Sequence, residues 1–318
     1  MVEIGYKLSS EEFGPNVLVD LAAQAERSGF SFGAISDHFH PWIDAQGHAP
    51  FVWAVIGGIS RATERLTVLT GVTCPSVRVH PAIVAHAAAS AGCMLEGRFI
   101  LGVGSGENLN EHVHGDRWPE VDVRLEMLEE AVEIIRLLWD GGLKSHHGKH
   151  YTVENARLYD LPDRLPHIMV AGSGGKSVEL AGRIGDGFIS LAPEEGIVEA
   201  FERSGGSGKP RLAEITVCWS RSEQEARKVV HEQWPITGIK GQLSQELPLP
   251  SHFKQAQSMI DEDDAASTVA CGPDPEVHIA NARQFIEAGY THIWFHQVGP
   301  DQEGFFRFYE QEVLPKLR

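Results

Sequence analysis

The chain has 318 residues, 42% hydrophobic and 22% charged, with a formal net charge of -17. That length allows one large core of the kind seen in barrels of about 250 residues plus insertions. The acidic balance argues against nucleic acid or an anionic membrane surface, because a polyanion meets repulsion over most of the protein, and no segment approaches the about 20 apolar residues that a bilayer crossing requires.

The strand-like run Glu3 to Lys7 is not preceded by the basic head and apolar core of an export signal, so the expected location is cytoplasmic. Cys74, Cys93, Cys218 and Cys271 are scattered without metal-ligand spacing and read as small buried hydrophobes rather than a zinc site or a disulfide framework.

In chain order, short apolar runs alternate with helical patterns. Glu3 to Leu8 predicts a strand, Pro15 to Ser28 a helix, Phe32 to Ile35 a strand, Phe51 to Ala62 a helix and Leu66 to Gly71 a strand. Pro81 to Leu95 predicts a helix with proline in its first turn, and Phe99 to Val103 a fourth strand. Between Trp118 and Trp139, Val123, Leu125, Leu128, Val132, Ile135 and Leu138 share one helical face. Lys144 to Tyr151 reads as an inserted hairpin with His146, His147, Gly148, Lys149 and His150 at its turn. Those histidines read either as a metal site or as an ordinary exposed tip, and no carboxylate stands nearby in sequence at ligand spacing.

The alternation resumes with strands at His167 to Val170, Gly187 to Ser190 and Ile215 to Trp219. Helices are expected at Lys176 to Arg183, Ile197 to Phe201 and Ser222 to Gln233, and Ser204 to Gly208 as a flexible loop. Pro235 to Asp264 predicts a helical or irregular excursion; Pro275 to Ala288, Thr291 to Phe295 and Gln302 to Val313 give helix, strand and helix. About eight strands, nearly all followed by helices, predict a (β/α)8 TIM barrel as one domain over residues 1–318, with insertions near 105–120, 143–166 and 235–264. A doubly wound sheet is the second choice.

In a parallel barrel the loops after the strands gather at one mouth, so separate motifs meet there. Ser36-Asp37-His38-Phe39-His40-Pro41-Trp42 follows strand two, Thr70 to Ser76 strand three, Gly104 to Glu111 strand four and Ala171 to Lys176 strand five. His38 and Glu107 are the candidate pair for proton transfer, since an imidazole with an ordinary pKa of about 6.5 both accepts and returns a proton near neutrality. The plainer alternative makes them a structural histidine and a capping acid. Gly172-Ser173-Gly174-Gly175 before a helix, with Lys176, reads as a phosphate nest or as a simple βα turn.

At these residues the chain resembles the luciferase-like flavin and deazaflavin oxidoreductases. Ser36 to Trp42, His48-Ala49-Pro50, Gly102 to Glu111 and Ala181 to Phe188 look like the branch using coenzyme F420, the group of F420-dependent glucose-6-phosphate and secondary alcohol dehydrogenases. The resemblance spans essentially the whole chain. It implies a luciferase-like TIM barrel, His38 as general base, Glu107 as acidic partner and Trp42 lining the pocket. It further implies that Asp37, Ser105 and Gly106 contact the cofactor, and that Gly71, Val72, Thr73 and Cys74 support it on a bulge with a cis peptide at Gly71–Val72. The nest at Ala171, Gly172, Ser173, Gly174, Gly175 and Lys176 would take the cofactor's acidic tail. No metal is expected, and a homodimer is.

Relatives that act on the sugar phosphate are expected to place cations where this chain has Ser190-Leu191-Ala192-Pro193-Glu194-Glu195 and Ser267, leaving Lys240 or Lys254 for a phosphate. A dianion held by one flexible lysine binds weakly. The expected activity is therefore hydride transfer between F420 and a secondary alcohol, an unphosphorylated sugar or the matching carbonyl. The alternatives are the sugar-phosphate dehydrogenase, an FMN monooxygenase and a non-catalytic ligand-binding barrel.

Overall fold

The computed structural model describes residues 2–239 and 241–318; Lys240 and the side chain of Glu195, both part of the substrate reasoning above, lie outside the described residues. Among those described, eight strands form the barrel: β1 (Glu3–Leu8), β2 (Phe32–Ile35), β3 (Thr67–Thr70), β4 (Phe99–Val103), β5 (His167–Ala171), β6 (Gly187–Ser190), β7 (Arg211–Cys218) and β8 (His292–Gln297). Each pairs in parallel with the next, and β1 pairs with β8 from Glu3 opposite His292 to Tyr6 opposite Phe295, which closes the sheet. The doubly wound alternative is thereby excluded.

Strand alternation sorts the side chains into two cores. Ile4, Tyr6 and Leu8 point outward and join the large apolar layer between barrel and helices, with Val84, Ile135 and Phe295. The inward set, Phe32, Ala34, Leu69, Met169, Ile189, Leu212 and Trp294, fills the barrel floor. Gly5 is part of this packing, because a Cβ there would lie 2.4 Å from the Phe32 ring. Above this floor the inward positions become charged, beginning with Lys7 and Glu214.

The helices form where apolar spacing and end signals agree. Pro15, Pro81 and Pro275 each occupy the first turn of their helix, and Asp274 accepts a hydrogen bond from the Glu276 N–H at 3.0 Å. Helix Val121–Trp139 buries Leu128, Val132, Ile135 and Leu138 against the barrel, whereas Val123, placed on that face by spacing, is exposed.

Four local expectations need correction. Strand β7 begins at Arg211, not Ile215, because its early charges are neutralised, Arg211 by Glu202 and Glu214 by Lys7; hydrophobic periodicity cannot register such a strand. Ser204 to Gly208 is not a free loop: the helical backbone runs on to Ser204 and breaks at Gly205, which has a φ of +103°, Ser204 Oγ donates to the Ala200 carbonyl at 2.9 Å, and Gly182 packs against the turn. In the hairpin of Lys144–His147 and Thr152–Ala156, His146 and His147 lie on a strand rather than at the turn. Carboxylates do reach these histidines, since Glu130 lies 3.2 Å from His146 and Glu126 3.3 Å from His150, both from helix Val121–Trp139. Among the described residues no group of three or more His, Cys, Asp or Glu is arranged to hold a metal.

The excursion after Pro235 folds into short helices, Leu243–Glu246, Pro250–Gln257 and Glu262–Ala266, and ends in a two-residue strand, Ala270–Cys271, that pairs with β7. That strand is too short for any period to reveal. Phe253, Trp234 and Val269 pack with Trp42 and Leu109 in a separate apolar cluster, so the excursion roofs one side of the barrel mouth. Among the described residues no helix is long and apolar enough to cross a membrane.

Candidate active site

The site is built where the first four strands end. After β2, Ser36 is buried and its Oγ donates to Glu11 Oε2 at 2.6 Å, fixing the loop after β1 against the loop after β2. Ser9 Oγ donates to the same oxygen at 3.0 Å. Glu11 therefore faces His38, its Oε1 3.4 Å from Nε2 with only 1% of its side chain exposed. Glu107, from the loop after β4, lies on the other side, its Oε2 3.7 Å from the same nitrogen and its side chain 31% exposed. His38 is thus held between two carboxylates, one sealed and one open to the mouth.

Asn110 fixes the other edge of the ring. Its Oδ1 accepts from the Phe39 and His40 N–H groups at 2.8 and 3.1 Å, which turns Nδ2 toward Glu107 Oε2 and His38 Nδ1, each 3.2 Å away. The His40 carbonyl also lies 3.1 Å from His38 Nδ1. Nδ1 has a donor and an acceptor within reach, so it is served whether or not it carries a proton. Trp42 packs edge-on to His38 with centroids 5.0 Å apart and against Phe253 at 5.2 Å, giving the pair an apolar wall. His40 turns away from the pair: its Nδ1 lies 3.0 Å from the Leu109 carbonyl and its ring stacks on His112, joining the loops.

The two carboxylates are driven apart electrostatically. Burial alone would push Glu11 up, but His38, Lys7 and the Ser36 hydroxyl hold it down at about 2. Burial pushes the Glu107 carboxyl above its ordinary range and neighbouring Glu11 adds to this, with His38 opposing. Below them, Lys7 Nζ lies 2.8 Å from Glu214 Oε2, which also accepts from Trp294 Nε1 at 2.8 Å. Burial would lower the Lys7 ammonium, yet Glu214, Glu11 and Glu107 keep it above the usual lysine value. An unpaired buried charge is costly, and here one cation serves several acids.

The loop after β3 carries a cis peptide at Gly71–Val72. Thr73 is buried, its N–H donating to the Gly102 carbonyl at 2.9 Å and its Oγ1 to Asp37 Oδ2 at 2.8 Å. Asp37 is itself buried, with Oδ1 2.9 Å from Arg78 Nη2. Cys74 is buried, Sγ 2.8 Å from Ser76 Oγ. Ser105 is half-buried, and Gly106, at a φ of +82°, packs so closely that a Cβ would sit 2.5 Å from Cys74 Sγ.

Val72 and Gly104, from the loops after β3 and β4, meet Ala171 at the end of β5: a Cβ on Gly104 would lie 2.8 Å from Val72 and 3.7 Å from Ala171. Gly104 stands three residues before Glu107, so this low apolar strip shares a loop with the acid. Shortly after Ala171 in the chain, the helix Gly175–Ile184 begins beside open space, nothing lying within 4 Å of a Cβ on Gly174 or Gly175. Gly172 is half-buried and donates to the Ile189 carbonyl. The N–H groups of Ser173 and Gly174 are taken by Ser177 Oγ at 3.2 and 3.1 Å, and Lys176 Nζ pairs with Asp122 at 2.8 Å. The nest is therefore partly satisfied from within, leaving the helix start and its dipole toward the open side.

The structure thus gathers His38, Glu107, Trp42, Asp37 and the Gly71–Cys74 bulge at one mouth. Sequence reasoning missed Glu11, Asn110 and Arg78. Ser9-Ser10-Glu11-Glu12 follows the first strand as the other motifs follow theirs, so the same strand-end rule finds Glu11. Asn110 and Arg78 act through contacts between loops and leave no local pattern.

A family model of luciferase-like monooxygenases matches residues 1–292. The F420-dependent glucose-6-phosphate dehydrogenase of Microbacterium testaceum is 35% identical over 329 residues, covering 100% of this chain and 98% of that protein. The protein of the same name from Nakamurella multipartita is 34% identical, covering 100% and 97%. Among solved structures, an F420-dependent secondary alcohol dehydrogenase in complex with an F420-acetone adduct superposes with a TM-score of 0.93 at 28% identity, over 100% of this chain and 99% of that one. With its closed parallel barrel and a family match that runs from the first residue to the start of β8, this chain belongs to the luciferase-like monooxygenase family.

Proposed function

We propose that the protein is an F420-dependent oxidoreductase that interconverts a CH–OH group and a carbonyl. The observation that carries this reading is a single imidazole held between two carboxylates of opposite tendency; the small apolar strip Val72–Gly104–Ala171 is where we place a flat ring. Relatives named for F420-dependent dehydrogenation support it. The residues present fit the cofactor: the Val72–Gly104–Ala171 strip suits a planar ring, and the open helix start at Gly175 suits an acidic tail. Asp37, Thr73, Cys74, Ser105 and Gly106 form the walls of that cradle. The bound deazaflavin supplies a two-electron hydride acceptor at C5.

The protein's own share of the chemistry is the proton. His38 Nε2 takes the hydroxyl proton as the C–H bond gives up hydride, and returns it when a carbonyl is reduced. Glu11 remains ionised and stabilises the imidazolium so formed. Glu107 is able to hold a proton near the reacting carbon and release it to the mouth, a division of labour that follows from two acids with separated proton affinities. Trp42 and Phe253 exclude water from the same side.

A neutral alcohol, unphosphorylated sugar or ketone is the substrate we propose. Lys254 Nζ donates to Gln257 Oε1 at 2.8 Å, and the exposed Ser267 returns its hydroxyl to its own backbone at Asp264, so neither supplies a ready phosphate cradle. The identity to glucose-6-phosphate dehydrogenases favours the sugar phosphate as the second reading. The two separate on incubation with oxidised F420 and a panel of secondary alcohols, sugars and glucose 6-phosphate, following the bleaching of the deazaflavin. Turnover of an alcohol or free sugar, lost in His38→Ala, is expected. Preferential turnover of glucose 6-phosphate overturns the substrate assignment, and oxygen consumption with reduced FMN but no reaction with F420 overturns the cofactor.

A further inference from the structure

Arg78 takes no part in handling the proton, yet three of the loops that build the site end on it. Its side chain is 7% exposed. Nη2 donates to Asp37 Oδ1 at 2.9 Å and lies 3.4 Å from the Asp37 carbonyl, while Nε lies 3.5 Å from Glu111 Oε1. The Arg78 N–H donates to Glu111 Oε2 at 2.7 Å. Asp37 directly precedes His38 in the loop after β2. Glu111 directly follows Asn110, the amide that touches both His38 and Glu107. Asp37 also holds the bulge after β3 through Thr73.

We propose that Arg78 is a positioning residue: by clamping Asp37 and Glu111 it sets the separation between His38 and Glu107. This rests on the assignment of that pair as the proton-handling groups. Asp37 and Glu111 are both buried carboxylates on different loops, and they repel each other across the guanidinium. The guanidinium hydrogen-bonds Asp37 through Nη2 and faces Glu111 through Nε at 3.5 Å as an ion pair without a hydrogen bond, so one delocalised charge lies between both acids; a lysine ammonium carries the same charge but reaches one of them. Without the guanidinium, the loop bearing His38 and the turn bearing Asn110 lose their common anchor, and near-attack geometry is sensitive to shifts of about 1 Å.

The test uses Arg78→Lys and Arg78→Gln in the full chain. Hydrogen exchange on the protein without cofactor is expected to quicken by about tenfold or more in residues 36–42 and 104–111 as well as in 71–80, the loop of Arg78 itself. In the F420-coupled assay with a secondary alcohol, kcat is expected to fall about 30-fold or more while KM stays within about threefold, because positioning acts on the reacting geometry rather than on uniform binding. If Arg78→Gln does not fold, Arg78→Lys decides, since it retains the compensating charge. Faster exchange confined to 71–80, or a kcat in folded Arg78→Lys within threefold of the parent, overturns the proposal. A parent protein that turns over no alcohol refutes the functional reading instead, and the exchange pattern then decides on Arg78 alone.

Discussion

Glu11→Gln separates the electrostatic account of this site from a purely steric one. Gln keeps the size of the side chain and can accept from Ser9 and Ser36, but it removes the negative charge beside His38 and Lys7. The native carboxyl sits at about 2, against about 4.3 for an unperturbed glutamate, so the ionised form contributes on the order of 3 kcal/mol to folding at neutral pH. A carboxyl lowered on folding stabilises above its unfolded pKa and loses that contribution as pH falls through the folded value. Gln resembles the protonated acid, so the variant is expected to be about 3 kcal/mol less stable at pH 7, about half that at pH 3, and nearly equal to the parent at pH 2. Urea unfolding at pH 7 and pH 3 measures both differences. Equal destabilisation at the two pH values, or none at pH 7, refutes the claim that the Glu11 charge is what this pocket selects. In the alcohol assay the same change removes the fixed anion opposite the imidazolium, and kcat/KM is expected to drop by about 100-fold, equivalent to about 2.7 kcal/mol.

Two further substitutions probe the support beneath the site. Lys7→Met leaves Glu214 and Glu11 without their buried cation and is expected to cost about 3–5 kcal/mol, whereas Lys7→Met with Glu214→Leu recovers a large part of it in urea melts. Equal instability of the single and double variants counts against a paired Lys7–Glu214 core. Gly106→Ala puts a Cβ 2.5 Å from Cys74 Sγ at a φ of +82°, and the strained backbone alone costs about 1–2 kcal/mol. A lower melting temperature together with weakened F420 binding is the expected outcome; an unchanged melting temperature shows that the loop has room to move.

Much of the architecture was legible because barrel strands and helices have strong periods. Phe32–Ile35, Phe99–Val103 and Pro81–Leu95 have the bounds that their apolar spacing predicts, and the rule that strand-end loops converge brought His38 and Glu107 together from 69 positions apart. The elements that escaped are those whose stability comes from elsewhere in the chain. The charged start of β7 is strand because Lys7 and Glu202 neutralise it, and the carboxylates facing His146 and His150 arrive from a distant helix.

The barrel, the gathering of the strand-end motifs at one mouth, and the residue types available there follow from local periodicity or from a short motif. That His38 lies between Glu11 and Glu107, that Asp37 is held by Arg78 and Thr73, and that His40 joins loops rather than facing Glu107 came only with the folded chain. Proton affinity and orientation depend on distances of a few ångströms between groups on different loops, and those distances exist only after the barrel has closed.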